Sequence, residues 1–309
     1  MDFMNPETLA VAAFVIIVVY LSLTRRRPAM PLEAFVSFRK PTLWWIVDAE
    51  PNARNSFNGA RNSSEPNRGY LQLALEAVQK TQGADFAVTP LVGRPAILAQ
   101  IPGADPSAAQ LPASLWRAYA ISRLLEAQGG LVMDGNSTLC VGPRLLPLLQ
   151  ADAVVFGVHP EEPVANPLTA MAPGPAPYVA YASKPHLPAW RLAADTWETL
   201  VRRGPQAWSS ATARRTDMTV WEAQKPLGIA VVRGVDGGRL SSGLPRALED
   251  TFGRVSVPAD PKTALTPETV FVTYDGDELA RRYEFNWVLR LSSQQLKESD
   301  LAFTKWAGY

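Results

Sequence analysis

The stretch Leu124-Leu125-Glu126-Ala127-Gln128-Gly129-Gly130-Leu131-Val132-Met133-Asp134-Gly135-Asn136 decides the fold. It reads as the end of a helix, a double-glycine turn, a short apolar strand, and an acid where the strand stops. Glycine commonly ends helices because it adopts the left-handed conformation that closes the last turn. Polar chemistry at the carboxyl end of a strand is where open α/β sheets place their ligands. Asp134 is therefore the first candidate site residue.

Upstream, a helix starting near Ala113-Ser114 carries Leu115, Tyr119, Ala120, Leu124 and Leu125 at helical spacing, with Ser114 as a cap. Earlier still, Leu43-Trp44-Trp45-Ile46-Val47 predicts a buried strand that ends in Asp48-Ala49-Glu50-Pro51. Residues 52–68 are rich in Asn, Ser, Arg and Gly and read as a long loop. A helix follows with Tyr70, Leu71, Leu73, Ala74, Leu75, Ala77 and Val78 on its apolar side and Gly83 past its end. Residues 85–89 and 95–101 read as short strands. Downstream come a helix around 144–150 and a strand over 153–158. This alternation predicts an α/β fold with a mostly parallel sheet covered on both faces. The second half is less regular. Residues 160–177 are proline-rich and predict a surface wrap, and Trp190, Leu192, Ala193, Trp197 and Leu200 mark a helix. Residues 228–232 and 270–274 read as strands, 278–282 and 293–303 as helices.

Composition narrows the classes of function. The chain has 309 residues, 47% hydrophobic and 19% charged, which is ordinary for a folded protein with a sizeable core. A formal net charge of +1 and no basic stripe with interleaved aromatics exclude nucleic acid as the expected partner. Cys140 is the sole cysteine, so neither an intrachain disulfide nor a cysteine-based zinc site can form. With His159 and His186 the only histidines, any metal would be held mainly by oxygen, which suits Mg²⁺ or Mn²⁺.

The amino terminus carries a different signal. Residues 8–24 hold no charge and centre on Phe14-Val15-Ile16-Ile17-Val18-Val19. Such a run spans roughly 25 Å as a helix, at the short end for a membrane crossing. Asp2 and Glu7 precede it and Arg25-Arg26-Arg27 follow it, the reverse of a cleaved signal peptide. The positive-inside rule then predicts a single-pass membrane protein with a cytosolic globular domain. The sequons Asn62-Ser63-Ser64 and Asn136-Ser137-Thr138 would be used only in a lumenal domain, and the arginines outweigh them. The expected organisation is an anchor with basic flank over 1–27, a linker over 28–41 and a globular domain over 42–309. The core of that domain is expected at 42–158 and its less regular part at 159–309.

The chemistry centres on Asp134 and Asn136. In an extended chain, positions i and i+2 point the same way, so two oxygen-bearing side chains there can share a divalent cation. Such a cation could neutralise a diphosphate leaving group. A D-x-N also serves turns and caps, so the surrounding sequence has to add the specificity.

Helix, Leu-Leu-x-x-x-Gly-Gly, apolar strand and Asp resembles the core of the family 32 glycosyltransferases and related capsular-polysaccharide-synthesis proteins, over about Trp44 to Val158. The resemblance implies a GT-A-like (Rossmann-like) fold and transfer of a sugar from a nucleotide sugar to a glycan or lipid-linked acceptor. It implies Mn²⁺ or Mg²⁺ held by an Asp-x-Asp pair, with Asp134 as the first acid and Asn136 in the place of the second. The family also has an Asp and an Arg on the helix before Gly-Gly. At ungapped spacing this chain has Ala118 and Ile121, and one helical turn earlier it has Ser114 and Arg117, which recovers the Arg alone. The candidate site is thus Asp134 as the catalytic organiser, Asp134, Asn136 and Arg117 on the cofactor, and Asp134, Asn136 and Asp277 at the metal.

Asp277 comes from Tyr274-Asp275-Gly276-Asp277-Glu278, whose acids either join the site or favour the amino end of the next helix. Two rival readings stand beside the transferase. One is a degenerate transferase domain kept as a structural or membrane-tethering component of a larger assembly with protein partners. The other is a haloacid-dehalogenase-like phosphatase, because Asp134-Gly135-Asn136-Ser137-Thr138 resembles its D-x-D-x-T motif, with Asn136 where the general acid belongs. His159 at a strand end, Trp44-Trp45 as a stacking platform, and Arg214-Arg215 or Arg281-Arg282 as phosphate contacts are weaker candidates. Each has an ordinary structural reading as well.

Overall fold

Strand β1 (Thr42–Val47) lies at the heart of the molecule because its side chains are apolar on both faces. A strand buried on both sides needs a covered sheet, and this one is covered by helices on each face. The computed structural model describes residues 40–48, 69–142, 145–158, 175–209, 216, 219–232, 248–253, 265, 269–285 and 287–309. Residues 40–309 form one compact unit.

From β1 the chain passes through helix α1 (Gly69–Gln82) to β2 (Ala87–Val92), which pairs parallel on one side of β1. It then runs through α2 (Arg94–Leu98) and α3 (Ala113–Gln128) to β3 (Gly130–Asp134), parallel on the other side. The short β4 (Thr138–Cys140) leaves the main sheet, and β5 (Ala153–Val158) returns to it. Strand β6 (Pro175–Ala182) inserts antiparallel between β3 and β5, and β7 (Ile229–Val232) closes the far edge parallel to β5. The order is β2-β1-β3-β6-β5-β7, an α/β sheet with five strands running one way and β6 against them. Its mostly parallel character is compatible with a Rossmann-like fold.

Alternation along the strands divides the core in two, as the period of a strand requires. Leu43, Trp45, Val47, Leu131, Met133, Val154 and Phe156 face one layer, with α1 and the carboxyl-terminal segments. Ile46, Val132, Ala153, Val155, Ala180 and Ala182 face the other, with α3 and α4 (Pro188–Arg202). The late chain is therefore part of the core. Strand β8 (Phe271–Thr273) pairs antiparallel with β4, and α5 (Leu248–Phe252) packs with Phe252 stacked 5.0 Å from Phe303. Helix α6 (Gly276–Arg281) follows β8. Helices α7 (Ser293–Lys297) and α8 (Ala302–Trp306) complete that layer, with Lys297 paired to Glu76 of α1 at 2.7 Å.

Several local expectations differ from the structure. Residues 95–101 were expected as a strand and instead begin in helix α2, where Pro95 occupies the first turn, a position in which its missing N–H is harmless. Among the described residues of 144–150, only a single 3-10 turn over Leu146–Leu148 forms, since Pro147 falls within it. The helix expected over 293–303 divides into α7 and α8 at Glu298–Leu301. Strands β4 and β6 were not anticipated at all. Helix α3 starts at Ala113 with Pro112 in the cap position and no side-chain cap bond. Among the described residues no helix is long and apolar enough to cross a membrane. The apolar run 8–24, the sequon at Asn62, His159 and Arg214-Arg215 lie outside the described residues.

Candidate functional site at the carboxyl ends of β1 and β3

The chain leaves β1 to one side for β2 and to the other for β3, so the strand order reverses between β1 and β3. The crevice outside the carboxyl ends at such a point is the usual ligand position in an open α/β sheet. Asp48 follows β1 and Asp134 ends β3, so both acids are delivered to that place by the fold.

The Gly129-Gly130 turn sets the start of β3. Both glycines have positive φ, at 65° and 89°, and a Cβ on Gly130 would fall 2.4 Å from the Thr42 carbonyl oxygen. Only glycine fits a backbone bent this way so close to β1. The indole N–H of Trp44 donates to the Gly129 carbonyl at 2.9 Å and holds the turn. At the other end of β3, Gly135 lies against the Trp45 ring, where a Cβ would stand 2.4 Å from a ring carbon. The Trp44-Trp45 pair thus serves the backbone around the site, with Trp45 buried in the core.

Asp134 is 4% exposed, and its Oδ2 meets the Arg117 Nε at 2.6 Å. Its Oδ1 accepts the Asn136 backbone N–H at 3.0 Å, and its carbonyl oxygen accepts the Thr138 hydroxyl. Arg117 comes from the first half of α3, one turn ahead of the ungapped family position, and still reaches Asp134. Its Nη2 also lies 3.5 Å from Asp277 Oδ2, and its guanidinium stacks 5.1 Å over the Tyr178 ring. Tyr178 is present because β6 runs antiparallel: Met133 pairs with Val179, which sets Tyr178 opposite Asp134. Asp277 is present because β8 pairs with β4 and α6 then starts against the turn. A Cβ on Gly276 would fall 2.1 Å from the Asn136 carbonyl oxygen, which measures how closely the two segments approach.

The electrostatics follow from burial. Removal from water pushes the Asp134 carboxyl above its ordinary value, against the pull of Arg117 and of the Asn136 N–H. Burial alone would lower Arg117, but the charges of Asp134, Tyr178 and Asp277 together raise it, so it stays protonated. Burial, opposed by Arg117, carries the Tyr178 hydroxyl up to about 12. A buried acid with a raised pKa, placed in a strand-end crevice beside an arginine, is the kind of group that active sites retain.

Sequence reasoning missed a second pair. Asp48 forms a two-point ion pair with Arg94, whose Nη2 lies 2.9 Å from Oδ2 and whose Nε contacts Oδ1. The same arginine donates to the carbonyls of Ala109 and Leu111 at 2.7 and 2.5 Å and lies 5.0 Å over Trp116. Asp48 carried the same signal as Asp134, an acid closing an apolar strand, whereas nothing in the sequence pointed to Arg94. Tyr178 was hidden in a stretch read as irregular.

The remaining candidates separate cleanly. Asn136 sits in the turn after β3, and its Oδ1 accepts the Asp48 backbone N–H at 2.8 Å. Its side chain also hydrogen bonds the buried Tyr70 hydroxyl. The Asp275 carboxylate caps α6 by accepting the Glu278 N–H at 2.8 Å. Arg282 pairs with Glu249 at 2.6 Å, and Arg281 bonds the Asp277 carbonyl at 3.2 Å. The exposed His186 pairs with Glu126 at 2.8 Å. A surface cavity of about 310 Å³ along α4, lined by Asp195, Thr196, Thr199, Leu200, Arg203 and Thr216, contains none of these groups.

The two side chains expected to share a divalent cation each have a protein partner. Asp134 is ion-paired to Arg117, and the Asn136 oxygen is engaged by Asp48. Among the described residues no group of three or more His, Cys, Asp and Glu could hold a metal. Asn136 has no acidic proton to give, which also removes the general acid that a dehalogenase-like phosphatase needs. No family model, curated protein or solved structure matches the chain.

Proposed function

We propose that the chain is a membrane-anchored, nucleotide-sugar-dependent glycosyltransferase of the GT-A type. Its donor diphosphate docks against Arg117 and the turn after Asp134. One observation carries the reading: Arg117, Asp134 and Asp277, drawn from α3, β3 and α6, converge where the strand order reverses. Sugar transfer breaks the bond between the anomeric carbon and the diphosphate, and negative charge accumulates on the departing group. A preorganised cation in a poorly hydrated crevice stabilises that charge well, and Arg117 is such a cation. The anchor is the apolar run 8–24, with Arg25-Arg26-Arg27 keeping the domain cytosolic. The acceptor is a glycan or a lipid-linked sugar presented at that membrane.

Thermal shift with a panel of nucleoside diphosphates tests the reading. A ligand at a hundredfold excess over its Kd adds about 2.7 kcal/mol, which raises Tm by several degrees. Asp134→Ala should abolish that rise. The engagement of Asp134 by Arg117 and of Asn136 by Asp48 favours a second reading, a domain without catalysis that serves as a structural part of an assembly. No shift with any nucleotide, together with stable co-purification of other proteins, would decide for it.

A further inference from the structure

We infer that this site binds its nucleoside diphosphate without a divalent metal, Arg117 standing where the cation would be and Asp277 acting as the group the diphosphate displaces. The inference rests on the transferase reading above and names the way its ligand is held.

Two observations and a general property of arginine carry it. The two side chains expected to share a cation are engaged elsewhere: Asp134 Oδ2 by Arg117 at 2.6 Å and Asn136 Oδ1 by the Asp48 N–H at 2.8 Å. Freeing Asn136 for a metal would break its bond to the Asp48 N–H and leave the Gly135 N–H to Ile46 carbonyl bond, at 2.7 Å, to join the turn to β1. The guanidinium also lies between two carboxylates, Asp134 and Asp277, which is the electrostatic position of a bridging cation. Arginine offers planar paired donors that match phosphate oxygens.

The two contacts of Arg117 are unequal, and that inequality assigns their roles. The Asp134 contact is short and the acid is 4% exposed, so it fixes the guanidinium in place. The Asp277 contact is 3.5 Å, well beyond the length of a charge-assisted hydrogen bond, and Asp277 is 42% exposed. An exposed, long ion pair contributes little and exchanges readily. A diphosphate oxygen approaching Arg117 therefore replaces Asp277, which returns to water. Tyr178, stacked on the guanidinium, keeps its plane fixed during the exchange.

The test is titration of the full-length chain in mild detergent with UDP, GDP, ADP, CDP and inorganic pyrophosphate, in EDTA and again with Mn²⁺. The expected result is a nucleoside diphosphate that binds in EDTA with a Kd unchanged by Mn²⁺. Arg117→Met should weaken binding about ten- to hundredfold, the loss of a charge-assisted bond. Asp277→Asn, at an exposed position that does not endanger folding, should tighten binding severalfold by removing the competitor. Binding that requires Mn²⁺, or that weakens in Asp277→Asn, overturns the inference and leaves the transferase reading standing. Absence of binding under both conditions overturns both.

Discussion

Two arginine–aspartate pairs stand at the ends of neighbouring parallel strands, yet they are built for different work. At the end of β1, Arg94 reaches the Asp48 carboxylate, two backbone carbonyls and the face of Trp116. Its donors are directed at fixed groups of the fold, and the contact with Ala109 and Leu111 ties the segment before α3 to the sheet. At the end of β3, Arg117 touches two carboxylates and one ring, and one of those carboxylates is exposed and distant. The same pair of residue types is thus a clasp in one place and, on the proposed reading, a receptive cation in the other. Partner identity, more than burial, separates them: the two arginines are similarly shielded, at 20% and 17% exposed.

The sharpest way to break this comparison is Arg94→Ala. It strands the Asp48 carboxylate and two carbonyls, and should destabilise by about 3 kcal/mol, read as a fall in the urea midpoint at constant slope. A loss under about 1 kcal/mol would make Arg94 an ordinary surface arginine and erase the contrast. Next in size is Gly276→Ala. The new methyl would strike the Asn136 carbonyl oxygen, and separating α6 from the turn should cost about 2 kcal/mol. That variant should also carry Asp277 away from Arg117, so its nucleotide affinity should rise although its stability falls.

Asp275→Ala removes the cap of α6 and should cost about 1 kcal/mol. It should leave nucleotide binding unchanged, because Asp275 serves the helix and Asp277 faces the site. An equal change of binding in Asp275→Ala and Gly276→Ala would merge roles that the geometry separates. The smallest effect is a slope. Burial raises the Asp134 pKa in the folded chain above its ordinary 3.8. A raised folded pKa means that stabilisation is complete below the unfolded value and fades as pH climbs through the folded value. The stability of the native chain relative to Asp134→Asn should therefore fall as pH rises from about 4, measured by urea unfolding at stepped pH. A difference that grows with pH would show Arg117 outweighing burial and make this pair a clasp as well.

Much of the fold was legible because its signals are local. The run Leu131-Val132-Met133 between Gly130 and Asp134 could only be a short buried strand, and β5 over Ala153–Val158 was equally plain from its apolar continuity. The helix before Gly129 declared itself by period and by its glycine stop. Strand β6 was not legible. Its residues Pro175-Ala176-Pro177-Tyr178 look like a turn-rich wrap, and only two neighbours with free edges, β3 and β5, make them a strand. Strand β4 is three residues long and exists through pairing with β8, more than one hundred and thirty positions away.

The site divides along the same line. Sequence alone determined that an acid would end β3, because apolar continuity, the glycine pair and the strand period are properties of adjacent residues. Arg117 came from the family resemblance, one helical turn ahead of the place where the family carries its arginine. Tertiary structure alone decided what Asp134 meets. The reversal of β6 brought Tyr178, the β4–β8 pairing brought Asp277, and the turn after β3 committed Asn136 to the end of β1. Those partners lie far apart in the chain, and the charge state and reach of a buried acid depend on everything packed around it. The expected metal pair rested on the period of an extended chain. The backbone turned at Gly135, directed the Asn136 amide to Asp48, and left an arginine beside Asp134.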